Sequence, residues 1–220
     1  MGDSSQDSHY MDRAIELARQ GVGRASPNPL VGAVLVRKEK VVGEGFHTYD
    51  NVKHAEALAI KQAGKAARGA TLYVNLEPCC HSGRTGPCAD ALVKAGVARV
   101  VAGMQDPNPQ VSGGGFQVLR EAGVEVEVGV RKEACQILNE HFVRYMRSGL
   151  PFVTLKAAMT LDGKIAAPDD NRGWITGEES RAYVHRLRHS CDALLTGVGT
   201  IVADDPLRSE ERRVGKECRL

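Results

Sequence analysis

The chain has 220 residues, enough for one ordinary domain plus a remainder. Hydrophobic residues at 42% and charged residues at 25% exclude wholesale disorder and fibrous repeats. A net charge of +2 and only 5% aromatic residues speak against a polynucleotide binder, which needs a basic face and stacking rings. In chain order, residues 11–20 carry Met11, Ala14, Ile15, Leu17 and Ala18 at helical spacing and stop at Gly21. Two β-branched runs, 30–37 and 41–46, flank Lys38-Glu39-Lys40 and predict a hairpin. A helix over 54–62 ends at Gly64, a strand spans 71–76, and a helix over 88–94 closes at Gly96. A strand (98–104), a helix (116–122), a strand (124–130) and one long helix (132–147) follow. Helix, glycine and strand recur at Ala95-Gly96-Val97 and Ala122-Gly123-Val124, which predicts a three-layer α/β domain on a mostly parallel, mixed sheet.

Ser148-Gly149-Leu150-Pro151 breaks the chain, and residues 152–158 read as a new strand. The boundary therefore falls after residue 148, and residues 149–207 would be marginal at burying a core alone. Residues 208–220, RSEERRVGKECRL, carry no apolar period and suit a solvated charged tail, but residues 208–218 resemble an in-frame translation of a sequencing adapter, so a non-native tail is expected. No apolar run approaches a membrane-spanning length, and the amino terminus is polar. A cytoplasmic protein without a membrane partner is expected.

Three of the six cysteines, Cys79, Cys80 and Cys88, cluster within ten residues, which suggests a metal or catalysis rather than a disulfide framework. His54, Cys79 and Cys88 supply one imidazole and two thiolates, three of the four ligands of a tetrahedral zinc with a place left for water. Zinc lowers the pKa of bound water to about 7. Glu56, two residues from His54, can move protons without coordinating the metal. The pattern H-x-E followed by P-C-x-x-C marks zinc nucleobase deaminases. Here the cysteines stand as C-x8-C, with residues 80–87 looping out. Cys80 is an alternative ligand to Cys79, although Pro78 adjoins Cys79, and a structural zinc site or buried thiols would use the same residues. The loop CHSGRTGP offers hydrogen-bonding groups and a cation, suited to a polar, anionic small molecule.

The segments HAE, EPCCHSGRTGPC, SPNPLVGAV, GEGFH and MQDPNP together resemble the deaminase domain of the bifunctional riboflavin-biosynthesis deaminase/reductase, over residues 10–147. The resemblance implies a cytidine-deaminase-like fold, with zinc on His54, Cys79 and Cys88 and Glu56 as the proton shuttle. It also implies substrate contacts at Asn28, His47, His81, Arg84, Asp106 and Asn108. As turn formers beside proline, Asn28, Asp106 and Asn108 equally suit a purely structural role, and Arg84 could be merely solvated. The implied reaction removes the 2-amino group of 2,5-diamino-6-(5-phosphoribosylamino)pyrimidin-4(3H)-one hydrolytically, giving 5-amino-6-(5-phosphoribosylamino)uracil and ammonia. The partner is thus a small phosphoribosylaminopyrimidine, not nucleic acid, and a homo-oligomer is expected. Cytidine and tRNA adenosine deaminases, or a non-catalytic zinc-stabilised remnant, are the competing readings.

PFVTLKAAMTLDGKIA and WITGEESRAYVHRLRHSCDALLTGVGTIVADDP resemble the start of the same family's reductase domain, which uses NADPH to reduce ribosyl to ribityl. Lys156, Ala158, Asp162, Trp174, Arg188, Thr200 and Asp204 fall on its motif positions. The glycine-rich cofactor segment of that family has no counterpart before residue 207, so the resemblance implies an incomplete α/β reductase domain over 149–207, with an exposed, aggregation-prone half-built sheet and no reductase activity. Gly113-Gly114-Gly115 reads as a loop of the first domain.

Overall fold

The computed structural model describes residues 4–81, 83, 85–165 and 175–204, with no side-chain description for Ser4, Ala203 and Asp204. The chain divides into two units, Met1–Thr154 and Leu155–Leu220.

In the first unit, helix α1 (Ser4–Arg19) starts seven residues before its apolar period does. The early turns are polar but anchored. Asp7 is buried, accepts two hydrogen bonds from the Arg99 guanidinium at 2.9 and 2.8 Å, and accepts a third from the Tyr73 hydroxyl at 2.7 Å. The hairpin forms as β1 (Gly32–Arg37) and β2 (Lys40–Phe46), antiparallel, with Arg37 opposite Lys40. Its tight turn holds Lys38 and Glu39 at φ of 49° and 60°, the double left-handed geometry that two-residue hairpins need.

Helix α2 (Ala55–Ala63) lies directly on β2. A Cβ at Gly45 would stand 2.4 Å from the Ala55 carbonyl oxygen, so only a glycine lets the helix start this close to the strand. Then follow a 3-10 turn (Gly64–Ala67), β3 (Thr71–Val74), α3 (Cys88–Ala95), β4 (Arg99–Ala102), α4 (Gly114–Glu121) and β5 (Glu125–Val128). The five-stranded sheet has the order β2-β1-β3-β4-β5. β1 runs antiparallel to both its neighbours, whereas β3, β4 and β5 are mutually parallel, giving a mixed sheet whose parallel half is linked by α3 and α4.

Side chains alternate across the sheet as the strand period of two requires. Ala33, Leu35, Leu72, Val74, Val100 and Ala102 face a core shared with Ala55, Ala59, Leu92, Phe116 and Leu119 of α2, α3 and α4. Val34, Val36, Tyr73 and Val101 face the other way, against Met11, Ala14, Ile15 and Cys135. Three layers result. The long helix expected over 132–147 is two, α5 (Lys132–Leu138) and α6 (Glu140–Ser148). Asn139 breaks it at φ −109°, ψ 23°, because its buried amide is committed elsewhere. Its Oδ1 accepts the Leu30 N–H at 2.8 Å and its Nδ2 donates to the Leu30 carbonyl at 3.0 Å.

The strand expected over 152–158 does not form. A strand exists only through its ladder, and no neighbouring strand pairs with this segment among the described residues. The described part of the second unit holds α7 (Glu178–His189) and α8 (Val198–Asp204) and no strand. Leu155, Leu161, Ile165 and Leu195 are exposed there. Among the described residues, no helix is long and apolar enough to cross a membrane.

Candidate zinc and active site

The loop leaving the carboxyl end of β3 meets the start of α2 on one side and the loop leaving β4 on the other, at the edge where ligands sit on parallel sheets. His54 is the N-cap of α2, in extended geometry, and Glu56 stands in the first turn, buried. Cys79 follows β3 in the loop, and Cys88 opens α3. The backbone N–H of Cys88 donates to Cys79 Sγ at 3.4 Å, so both sulfurs lie at the positive end of α3.

These three residues converge. His54 Nδ1 is 3.6 Å from Cys79 Sγ and 3.3 Å from Cys88 Sγ, and all three donor atoms lie within 4.8 Å of one another. A tetrahedral zinc with ordinary Zn–N and Zn–S bonds places such atoms about 3.5 Å apart. The donor set, its spacing and its burial therefore fit zinc. Cys80, the alternative ligand, stands apart, its Sγ 4.0 Å from the Val111 carbonyl oxygen. Glu56 Oε2 is buried and has no hydrogen-bond partner among the described residues, an oxygen left over for something the protein itself does not supply.

The protein's own groups polarise one another here. A hydrogen bond from the Cys88 thiol, aided by His54, holds Cys79 well below the ordinary thiol range, while Cys88, facing that thiolate from a buried position, is pushed up. The hydrogen bond to Cys79 raises His54, and burial raises Glu56.

Of the expected substrate contacts, Asn28 and His47 sit beside the trio. Asn28 Nδ2 and His47 Nε2 are 2.9 Å apart, and the His47 and His54 rings meet edge-on with centroids 5.4 Å apart. Asp106 and Asn108 lie in the loop after β4. Asp106 is buried and its Oδ1 accepts the Asn108 N–H at 2.8 Å; Asn108 Oδ1 in turn accepts the Gln110 N–H at 3.1 Å. Both are thus turn formers, as their proline neighbours suggest, whatever else they do. Burial pushes Asp106 up to about 6, with the nearby Glu77 carboxylate adding to the rise and His81 opposing it. His81 is exposed, and Arg84 lies outside the described residues. A cleft of about 510 Å³ opens between Arg24, Phe46, Thr48, Asp50, Asn51 and Leu58; it contains both chain neighbours of His47 but none of the candidate site residues.

In the second unit, Lys156, Asp162 and Thr200 are exposed, Ala158 is half-buried, and Arg188 is half-buried on α7. Asp162 is engaged locally, by the Thr160 hydroxyl and by Lys164 Nζ at 3.3 Å. Trp174 and the Asp204 side chain, like residues 208–220, lie outside the described residues.

Sequence reasoning missed two residues that shape the site. Asn75 is fully buried, and its side chain accepts the Gly32 N–H and donates to the Leu30 carbonyl, both at 2.8 Å, tying down the segment that carries Asn28. Glu77, also buried, accepts four backbone N–H groups. The available signal was a polar side chain inside the apolar run 71–76 and an acidic one immediately before Pro78-Cys79. Gly113-Gly114-Gly115 is not a plain loop: Gly113 caps α4, and the next two residues begin it.

Residues 4–104 match the family model for the cytidine and deoxycytidylate deaminase zinc-binding region, and residues 151–217 match that for the RibD C-terminal domain. The riboflavin biosynthesis protein RibD of Synechocystis sp. is 50% identical over 201 residues, covering 91% of this chain and 55% of that protein. The solved RibD of Acinetobacter baumannii superposes with a TM-score of 0.87 at 47% identity, over 93% of this chain and 57% of that one. The Thermotoga maritima diaminohydroxyphosphoribosylaminopyrimidine deaminase/5-amino-6-(5-phosphoribosylamino)uracil reductase gives 0.87 at 46% identity, over 92% and 58%. The chain spans about half the length of the curated relatives it matches. Two family models in the same order, with this level of identity across both, place the chain in the family of the riboflavin-biosynthesis deaminase/reductase, RibD.

Proposed function

We propose that residues 1–148 form a zinc-dependent aminohydrolase domain acting in riboflavin biosynthesis. It converts 2,5-diamino-6-(5-phosphoribosylamino)pyrimidin-4(3H)-one and water into 5-amino-6-(5-phosphoribosylamino)uracil and ammonia. The observation that carries this reading is the convergence of His54 Nδ1 with the sulfurs of Cys79 and Cys88, two residues from a Glu56 whose buried Oε2 has no hydrogen-bond partner among the described residues. Zinc held by those three atoms supplies the Lewis acidity that lets water act as a nucleophile at neutral pH.

Glu56 does the proton work. Its free carboxylate oxygen takes the two protons of the attacking water one after the other, passing the first to the ring nitrogen and the second to the amine, which leaves as ammonia. Its burial keeps bulk water from competing for that proton. Asn28 and His47, already joined by their hydrogen bond, approach the substrate as one unit. Asp106 and Asn108 approach from the loop after β4. His81 and Arg84 belong to the loop between the two cysteines, and the Arg84 cation suits the phosphate.

Residues 149–207 we assign to the family's NADPH-dependent reductase domain, with Lys156, Ala158, Asp162, Trp174, Arg188, Thr200 and Asp204 at its motif positions. The described residues of that unit do not fit the dinucleotide: no strand leads into a helix N-terminus there, and Lys156, Asp162 and Thr200 are exposed. No step is assigned to it. We further read the protein as a cytoplasmic homo-oligomer without nucleic-acid or membrane partners, in keeping with its near-neutral charge.

The test is ammonia release by the zinc-loaded chain, with the diaminopyrimidine phosphoriboside and with cytidine. Turnover of the phosphoriboside and none of cytidine is expected. Preference for cytidine would replace the substrate assignment, and inertness toward both would leave a zinc-stabilised, non-catalytic protein.

A further inference from the structure

We infer that Glu77 is a positioning residue for the substrate, acting through the loop after β4; the inference rests on the deaminase reading above. Glu77 is 3% exposed and lies two residues before Cys79. Its Oε2 accepts the N–H groups of Asp106 at 3.1 Å and Gly113 at 3.0 Å. Its Oε1 accepts those of Gly115 at 3.0 Å and Phe116 at 3.3 Å. One carboxylate thus ties together both ends of the 106–113 loop and the first turn of α4. The same residue is held to β4's exit by its own N–H, which donates to the Met104 carbonyl at 3.0 Å.

The partners show why no other residue type serves. Four N–H groups, two to each oxygen, match an acceptor-only carboxylate; an amide would turn an NH2 group toward two donors. A buried charge is tolerated only when so satisfied. The glycines opposite complete the fit. A Cβ at Gly115 would stand 1.9 Å from the Pro78 carbonyl oxygen, and one at Gly114 would stand 2.8 Å from Cys80 Sγ, so α4 begins directly against the Pro78–Cys80 backbone. Glu77 and the paired glycines therefore lock Asp106 and Asn108 in register with the segment carrying Cys79. Neither oxygen of Glu77 has capacity left for substrate or metal. Its effect reaches the reaction only through the loop.

Contacts made by Asp106 and Asn108 to non-reacting parts of a substrate bind ground state and transition state alike, so loosening them raises KM and spares kcat. In the zinc-loaded full chain, Glu77→Gln is expected to raise KM for the phosphoriboside roughly tenfold, the loss of about one well-placed hydrogen bond to a charged group, with kcat nearly unchanged. Zinc content stays at the wild-type value, and the amides of Asp106, Gly113, Gly115 and Phe116 exchange with solvent faster than in the wild type. Glu77→Asp, which keeps the carboxylate on a shorter stem, is expected to recover part of the KM.

A fall in kcat with KM unmoved, or unchanged protection of those four amides, overturns the inference. Should Glu77→Gln fail to fold, Glu77→Asp decides by the same two readouts. Loss of zinc or fold in both variants also overturns it, since Glu77 would then serve the whole domain. A wild-type chain that releases no ammonia removes the deaminase reading itself, and amide exchange alone then decides whether Glu77 holds the loop.

Discussion

The two units of this chain carry motifs of comparable length, yet the structure treats them differently. The first buries apolar side chains on both faces of a five-stranded sheet and brings His54, Cys79 and Cys88 together from two helices and a loop. The second, in its described part, has two helices, no strand, and Leu155, Leu161 and Leu195 in solvent. Motif residues identify a lineage, but only a closed core converts their spacing into geometry. Asp7 and Asp162 show the same contrast at the scale of one carboxylate. Asp7 is held by a doubly bonded Arg99 inside the first unit, while Asp162 pairs with Lys164 on the surface.

The largest expected effect falls on the first unit's chemistry. Glu56→Gln should reduce ammonia release about 10²–10⁴-fold, the usual worth of a positioned proton-transfer group, with zinc still bound by metal analysis. An unchanged rate would remove Glu56 from the reaction.

Packing comes next. Leu72 is fully buried between β3's neighbours and the helical layer, so Leu72→Ala should cost about 2–5 kcal/mol in urea unfolding followed by circular dichroism. Leu161→Ala and Leu195→Ala remove fully exposed side chains and should leave the unfolding midpoint where it was. Equal losses at all three sites would erase the contrast between the units.

The pH response sharpens it further. The Arg99 guanidinium holds Asp7 below the ordinary carboxylate range, so this pair contributes stability that is present above Asp7's unfolded pKa and lost as pH falls through its lower folded one. Arg99→Met should therefore cost about 2 kcal/mol at neutral pH and flatten the loss of stability on acidification below about pH 4. Asp106 has the opposite sign. Raised to about 6, it costs stability as pH climbs from its unfolded value through 6, so Asp106→Asn should flatten that part of the profile. The smallest effect is a null one: NADPH oxidation with the deaminated product should stay at background, and turnover above it would show that the second unit is better organised than its exposed positions suggest.

Much of this was legible in the sequence, because most elements announce themselves locally. The hairpin, the glycine stops after α2 and α3, and the helix–strand alternation that ends in β5 depend on neighbours a few residues away. The zinc trio was legible too, since its residue types admit few other chemistries. What escaped depends on partners far along the chain. Asn139 splits a helix because its amide is bound to Leu30, 109 residues away, and α1 begins early because Asp7 meets Arg99, 92 residues away. The triple glycine looked like a loop because the carboxylate that gathers the Gly113 and Gly115 N–H groups belongs to Glu77, 36 residues before Gly113. The strand at 152–158 had the right composition and no partner to pair with among the described residues.

Zinc content across three cysteine substitutions tests the central claim most directly. The account predicts that Cys79→Ser and Cys88→Ser purify without stoichiometric zinc while Cys80→Ser retains a full complement. Zinc retained in the first two, or lost in the third, would contradict it.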